Sequence, residues 1–565
     1  MKIRHLSIKN FRGIRSLEWT ITSDFICLIG PGDSTKTTIL SAIEFALYPY
    51  WNPSFDDSDF FNCDTTKPIL IQVTIADLPE KLTLEDKFGL DLRGLNDSNE
   101  LHDEPQDGDE LALTIQLCID DSLEPEWRVY TDRKPDGKRI SHRDRESLGM
   151  VRLGSYVDRH LTWGRGTVLS RLTGKIEELP ALIAKAQRDL RTSFNTSQMP
   201  ELEEARKAAI DAARLFGISA RNEYTTDLDT KSIKFSEGGI ALHDGKIPVR
   251  MAGLGSKRLL TIALQRSTAN QAGITLIDEL EHGLEPHRII RLIKALRNTG
   301  EEQFGQTILT SHSPDVVCEM KVQELLLIRS AGGVTKIIEI STDIQNIVRS
   351  QPHAFLARNI LVCEGKTEIG ICRALDTSWI EEGDESLAYR GVVPVDGGGS
   401  ECAKRAEIFK KLGYKVALFA DSDVELRPRR DELEAGEIRV IAWNDEFAVE
   451  QRVVKSLPWE GVKEVVAVAI EEFGIKAVTA RVKKELEDDV DLPENHDEWE
   501  DTANLRNAIA KAAKKNEKKS RGWFKQIALG EKLGNVVVRH FASIEVTDDL
   551  IVKLNALRQW IHTDD

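Results

Sequence analysis

Apolar and polar positions change period repeatedly along the chain, and the changes outline its elements. Ile3 to Ile8, Leu17 to Ile21 and Phe25 to Ile29 read as strands separated by turns, and from Thr38 to Leu47 the spacing becomes helical. Ile69 to Ile75 and Leu111 to Ile119 are further expected strands, with the acidic stretch Asp91 to Asp109 expected as a loop between them. Residues 176 to 216 combine helical spacing with many charges, which predicts a helical insertion and a candidate dimerisation arm. Strand-like chemistry returns from Ile233 to Val249, and residues 257 to 345 alternate helix and strand. A break at Gln351-Pro352 precedes a second α/β unit, from about 355 to 455. The remainder is expected to be helical and charged, with an acidic run, Glu485 to Asp501, and a basic run, Lys511 to Arg521. There is no internal repeat and no low-complexity tract.

Composition narrows the class. At roughly 150 residues per domain, 565 residues suggest three or four domains. Hydrophobic residues at 41% and charged residues at 30% fit a soluble globular chain. A net charge of −17 argues against a surface that is basic throughout, but leaves room for a local basic groove that binds nucleic acid. Seven cysteines show neither a CxxC pair nor zinc spacing, and read as buried thiols of a reducing cytosol. The first residues carry no apolar signal core, and no run of about 18 apolar residues occurs. A cytoplasmic protein without a membrane segment is expected.

Gly30-Pro31-Gly32-Asp33-Ser34-Thr35-Lys36-Thr37-Thr38 lies between an expected strand and an expected helix, the context of a phosphate-binding loop. Backbone N–H groups and the helix N-terminus would cradle the phosphates of ATP. Lys36 would reach the β- and γ-phosphates, and Thr37 would ligate Mg²⁺. Thr35 stands where the pattern asks for glycine. The bland alternative is a Gly-rich turn with a chance Lys-Thr. Downstream, the apolar run Ile274-Thr275-Leu276-Ile277 ends in Asp278-Glu279, where Asp278 would hold Mg²⁺ and Glu279 would polarise the attacking water. The run Thr307 to Thr310 ends in Ser311-His312, and His312 is a candidate γ-phosphate sensor. Gly253-Leu254-Gly255-Ser256-Lys257-Arg258 opens a helix whose N-terminus is a second candidate phosphate cradle.

Acids recur at strand ends in the second half. Ile360 to Cys363 runs into Glu364-Gly365-Lys366-Thr367-Glu368, and Val416 to Ala420 runs into Asp421-Ser422-Asp423. Carboxylates at the carboxyl ends of neighbouring strands converge on one crevice, and oxygen ligands suit Mg²⁺ or Mn²⁺. Glu450 or Glu446, after the short strand Val440 to Ala442, would complete a second metal. Two metals about 4 Å apart stabilise both the attacking and the leaving oxygens of a phosphodiester. The alternative is solvated acids on strand-end loops.

The first set of motifs resembles the ABC-type ATPase heads of the SMC and RecF kind. Asn10-Phe11-Arg12-Gly13 is similar to their early strand-turn element, which puts Arg12 near the nucleotide, and Gly255-Ser256 to their signature segment. The resemblance implies a composite site, with the signature acting on a partner's ATP, and hence a homodimer or tetramer through the heads. Gly283-Leu284-Glu285-Pro286-His287 departs from the Leu-His-Pro of relatives, and Gln72 is a weak candidate for the glutamine loop.

The acids, together with Asp396-Gly397-Gly398-Gly399-Ser400 between them, resemble a Toprim domain. An ABC head followed by Toprim is the architecture of the OLD (overcoming lysogenization defect) family. That resemblance implies an α/β fold in which residues 1–175 and 233–350 form the ATPase, 176–232 a helical dimerisation insertion, and 355–565 a Rossmann-like Toprim domain with helical C-terminal elements. It further implies cleavage of double-stranded DNA with Mg²⁺ or Mn²⁺, a role in anti-phage defence, and an operon-encoded partner. The family's late catalytic lysine would be Lys519, or else Lys525, and the Arg427 to Arg430 cluster is a further candidate DNA contact. Rival readings are an ATP-regulated repair or scaffold protein with an inactive Toprim domain, and a topoisomerase or primase. The last two lack the extra domains they need.

Overall fold

The computed structural model describes residues 1–48, 53–154, 158–164, 167–173, 179–193, 200–215, 224, 240–268, 273–297, 305–486, 492–493, 495–514 and 522–563. The chain forms two compact units: Met1–Arg12, Glu18–Phe25 and Thr37–Thr310 make the first, and Gly13–Leu17, Ile26–Lys36 and Ser311–Asp565 the second. Residues 311–350, expected with the ATPase part, therefore cluster with the C-terminal half.

In the first unit, Lys2–Phe11 pairs antiparallel with Ile69–Ala76, which pairs with Glu110–Ile119. Pro125–Thr131 and Lys134–Arg139 continue the ladder outward. Ile69, Ile71, Val73 and Ile75 are fully buried at alternate positions, so β-branched residues at period two form one packed face. Val151–Leu153, Thr275–Ile277 and Thr307–Thr310 form a parallel trio in the same sheet. The insertion contains helices Leu179–Ser193 and Pro200–Leu215.

Two expectations need correction. Asp91 to Asp109 is not a plain loop: Arg93–Leu95 pairs with Leu101–His102 and with residues 110–112 of the long strand. Its acids hide the ladder because they serve as anchors, Asp103 for buried Arg93 and Asp109 for His102 at 2.7 Å. Of the strands expected from Ile233 to Val249, residues 233–239 lie outside the described part. Residues 240–249 hold only the two-residue strands His243–Asp244 and Ile247–Pro248.

In the second unit, Leu325–Ala331 pairs in parallel with the strand that leads into the phosphate-loop motif, and folds back on Val334–Glu339 as a hairpin. A four-stranded, wholly parallel sheet comes next in the chain. Its spatial order is Val392–Asp396, Asn359–Cys363, Lys415–Phe419, Arg439–Ile441. The second strand in sequence lies on one side of the first and the third on the other. The strand order thus reverses beside Asn359–Cys363, and a doubly wound sheet opens its crevice at such a point.

Helices Val449–Ser456 through Asp549–His562 share one core with this sheet, in which Leu361, Phe419, Trp443, Val462, Leu533 and Leu557 are all buried. The closest packing is between Lys366–Glu381 and Ile527–His540. A Cβ on Gly530 would lie 2.5 Å from the Thr367 carbonyl, and one on Gly534 would lie 2.7 Å from the Ala374 methyl. Gly370 meets the backbone of Ile527 and Glu531 equally closely. Gly530→Ala should therefore cost about 1–3 kcal/mol by overpacking, read as a lower denaturation midpoint. An unchanged midpoint would show that the crossing tolerates a methyl group.

Candidate functional site

The strand Phe25–Ile29 ends in a loop, and the helix Lys36–Ala46 begins at the lysine of the motif. Gly30, Asp33 and Thr35 all have positive φ, at 145°, 58° and 66°. Thr35 thus takes the left-handed turn that glycine would otherwise supply. Its hydroxyl donates to the Ser34 carbonyl at 2.6 Å and lies 3.1 Å from the Thr335 hydroxyl. Lys36 is buried, and its ammonium donates to the carbonyls of Gly30 and Pro31 and to the Ser34 hydroxyl at 2.8–3.1 Å. The loop is therefore folded around the ammonium expected to meet the phosphates.

In the first unit, Thr37 donates to Asp278 Oδ1 at 3.1 Å, and Thr310 donates to the same oxygen at 2.8 Å. These are the hydroxyl and carboxylate expected to share Mg²⁺. Arg152 holds the other oxygen, Oδ2, at 2.8 Å and also reaches Glu44 at 2.7 Å. Glu279 is exposed, has φ of 48°, and takes a Thr310 hydroxyl as acceptor for its N–H. Buried Arg258 donates to the carbonyls of both Asp278 and Glu279, at 2.7 and 2.8 Å, and so fixes the turn. Desolvation by burial lowers its pKa against the pull of Glu281, Glu279 and Asp278. Gly255 packs on the Gly283 carbonyl so closely that no side chain fits, and Gly283 itself has φ of 75°. Ser256 lies 3.4 Å from Arg288. Arg12 pairs with Asp59 at 2.8 Å. In the second unit His312 is exposed after its strand. Gln72 lies within a strand and bonds Gln116.

In the parallel sheet, Glu364, Asp421 and Asp423 present ligand oxygens within 4.8 Å of one another, at the point where the strand order reverses. The Asp421 N–H donates to Glu364 at 3.0 Å. Burial, and then the neighbouring Glu364, push the Asp421 carboxyl far above its ordinary range. Burial also opposes ionisation of Asp423, but Asp421's hydrogen bond and the Lys514 ammonium at 2.7 Å outweigh it and hold that carboxyl low. Glu368 and Glu450 form an adjoining buried set. Glu450 is fully buried and meets Lys525 at 2.8 Å. Glu368 accepts the Gly365 N–H at 2.8 Å, capping its helix, and burial pushes its carboxyl up to about 7 despite Lys525. Lys525 is driven upward by Glu450 and Glu368, which overcome its own burial. Among the described residues five carboxylates thus face two ammonium groups, a donor set that a divalent cation would help to balance.

Lys519 lies outside the described residues. Trp523 and Phe524 are buried rather than available to bases. Arg427, Arg429 and Arg430 are exposed, with the last two near Asp431 and Glu434. Glu446 is not among the gathered acids.

Residues 25–318, just over half of the chain, match the family described as "AAA domain, putative AbiEii toxin, Type IV TA system". The chain belongs to this family. The match covers the phosphate loop, Asp278-Glu279 and His312, and stops short of Glu364 and the later acids. A P-loop ATPase domain of this kind implies nucleotide binding and hydrolysis with a divalent metal. Among solved structures, the SmcHead bound to the C-winged helix domain of ScpA is 13% identical, covering 60% of this chain and 98% of that one, with a TM-score of 0.36. The SMC head domain from Thermotoga maritima is 13% identical over 60% and 100%, with a TM-score of 0.30. The Smc head domain derived from Pyrococcus furiosus is 12% identical over 62% and 99%, with a TM-score of 0.34. No curated protein matches. Among the described residues no helix is long and apolar enough to cross a membrane.

Several site residues of this AAA-family chain are not marked by its sequence pattern. Arg152 lies in a three-residue strand between Gly149 and Gly154. Those glycines are the one available signal. Arg258 and Lys514 stand inside segments notable for other reasons, and nothing in their spacing marks them.

Two outcomes test the local chemistry. Thr35→Gly should leave stability nearly unchanged, because relief of left-handed strain, about 1 kcal/mol, offsets the freedom gained by the unfolded chain. Thr35→Val keeps the strain, loses the hydroxyl contacts, and should cost about 1–2 kcal/mol in denaturant unfolding. Lys525→Met strands Glu450 and should cost about 3–5 kcal/mol, with much of it recovered when Glu450→Gln is added. A double variant no more stable than the single would show that the ion pair is not what Lys525 contributes.

Proposed function

We propose that this AAA-family ATPase is an ATP-regulated, divalent-metal-dependent DNA endonuclease of the OLD type, acting in the cytoplasm in defence against phage. The observation that supports this best is the cluster of Glu364, Asp421 and Asp423 within 4.8 Å at the crevice of a parallel sheet, with Lys514 and Lys525 beside it. Scattered solvated acids would not be buried against one another, nor held by lysines from a segment about ninety residues later.

Glu364, Asp421 and Asp423 would hold Mg²⁺ or Mn²⁺, with Glu368 and Glu450 beside them. Bound there, the ion would supply Lewis-acid charge and a more acidic water. Lys525 keeps its proton and, with Lys514, offers positive charge to a phosphodiester entering the crevice. In the ATPase part, Lys36 would leave its carbonyl partners for the nucleotide phosphates, and Thr37 and Asp278 would share the Mg²⁺ ion. Glu279 would orient the attacking water and His312 would sense the γ-phosphate. Residues 176–232 would serve dimerisation, and Gly255-Ser256 would act on ATP held by a second copy.

Supercoiled plasmid incubated with the protein and Mg²⁺ or Mn²⁺, with and without ATP, tests the reading. Nicking should fall at least about 100-fold in Asp421→Ala, in keeping with the loss of a charge-stabilising group. Lys36→Ala should abolish the effect of ATP while leaving the acids intact. Cleavage that survives Asp421→Ala, or none under any metal and nucleotide condition, would overturn it.

A further inference from the structure

A group of cations in the second unit belongs to neither candidate site. Arg329, Lys336, Arg358, Arg390 and Lys415 line one cavity of about 920 Å³. Among the described residues Asp33 is the one acid in its wall, in a chain whose net charge is −17. The side chains come from three places. Arg329 and Lys336 stand on the hairpin Leu325–Ala331 and Val334–Glu339. Arg358 and Lys415 stand at the amino ends of two parallel strands, and Arg390 precedes a third. Residues 31–34 of the phosphate loop close one side.

These cations are not the counter-charges of Glu364, Asp421 and Asp423. Those acids follow the carboxyl ends of the strands whose amino ends carry Arg358 and Lys415. A five-residue strand separates the two by roughly 16 Å. Two of the cations have partners within the chain. Arg390 pairs with Glu385 at 2.6 Å, and Lys415 donates to the Thr563 carbonyl at 2.8 Å. The Arg329 guanidinium, however, lies 3.8 Å from the Tyr414 ring centre and interacts with the Tyr414 hydroxyl, and its Nε and Nη2 atoms meet no carboxylate among the described residues. Stacking on Tyr414 holds this guanidinium in the cavity wall, where it adds fixed positive charge. Lys336 and Arg358 are exposed beside it.

We infer that this cavity is a second anion site, which takes the polyphosphate of a free nucleotide in addition to the one at Lys36. The volume falls within the range of small-ligand sites, about 300–1,000 Å³, and does not admit a duplex. The cations match a phosphate chain, and Tyr389, 72% exposed in the wall, offers a ring to a base. A nucleotide there would contact the backbone of residues 31–34 from outside the loop. Its occupancy would thereby report nucleotide level to the loop.

Isothermal titration of the full chain with ATPγS and Mg²⁺ tests this. The wild type should bind two equivalents. Lys336→Glu combined with Arg358→Glu should bind one, with the remaining affinity within about threefold of the Lys36 site. Lys36→Ala should also bind one, and that one should weaken at least tenfold between 50 and 300 mM salt, on the order expected when several phosphate charges are released. The milder pair Lys336→Gln with Arg358→Gln serves if charge reversal prevents folding, as judged by circular dichroism. One equivalent in the wild type, or two in either paired variant, overturns the inference. So does a single equivalent weakened by both Lys36→Ala and the paired variant, because the cations are then the rim of the loop's own site. Occupation of the second site by a 5′-phosphorylated tetranucleotide but not by ATPγS also overturns it.

Discussion

Carboxylates taken out of water must be given positive charge, and both units are arranged around that requirement. In the first, Asp278 is held by Arg152, Thr37 and Thr310. In the second, Lys514 meets Asp423 and Lys525 meets Glu450. In each case the cation arrives from a segment far away in sequence. An acid that ends a strand is easy to supply locally. Its partner has to be delivered by tertiary structure, so the quality of packing decides whether the charge is tolerable.

The glycine crossing shows how delivery works in the second unit. Gly370, Gly530 and Gly534 let two helices approach until backbone meets backbone. Thr367 then bonds the Phe524 carbonyl at 2.9 Å, and Lys525 is the next residue in the chain. The buried pair Trp523 and Phe524 anchors the same turn in the core. The ammonium is thus set opposite Glu450 by apolar packing on one side and by close helix contact on the other. Precision of that kind is what a preorganised charged site requires.

Much of this is legible in the sequence, for a physical reason. Strand, glycine turn and helix have distinct periods, so the loop from Gly30 to Thr38, the Asp278 strand end and the acids Glu364, Asp421 and Asp423 can all be put in place from local pattern. The partners cannot. Arg152 lies in a strand of three residues, too short to carry a period. Lys514 and Lys525 sit in a basic stretch where every lysine looks alike until the fold selects one. The expected ligand Glu368 is half legible. Its position one turn into the helix is clear, but at that position a glutamate can equally cap the helix through the Gly365 N–H, as it does here. The acidic stretch from Asp91 to Asp109 misleads because its composition suggests solvation, whereas its aspartates pair with arginine and histidine within the stretch, Asp103 with Arg93 and Asp109 with His102.

The two units handle their acids differently, and the difference bears on what each site is suited to. Asp278 is fully partnered by groups of the chain: two hydroxyls on one oxygen and a guanidinium on the other. A cation entering there must displace or rearrange those bonds, a natural setting for a site that takes its metal together with a nucleotide. Among the described residues the later crevice has five carboxylates for two ammonium groups, and Asp421 resists ionisation because burial and Glu364 both oppose its charge. Asparagine or serine at Asp421 would pack there at lower electrostatic cost. Among the described groups the arrangement gains from additional positive charge, and a divalent ion bound to oxygen ligands is a small group that would bring it into so confined a place.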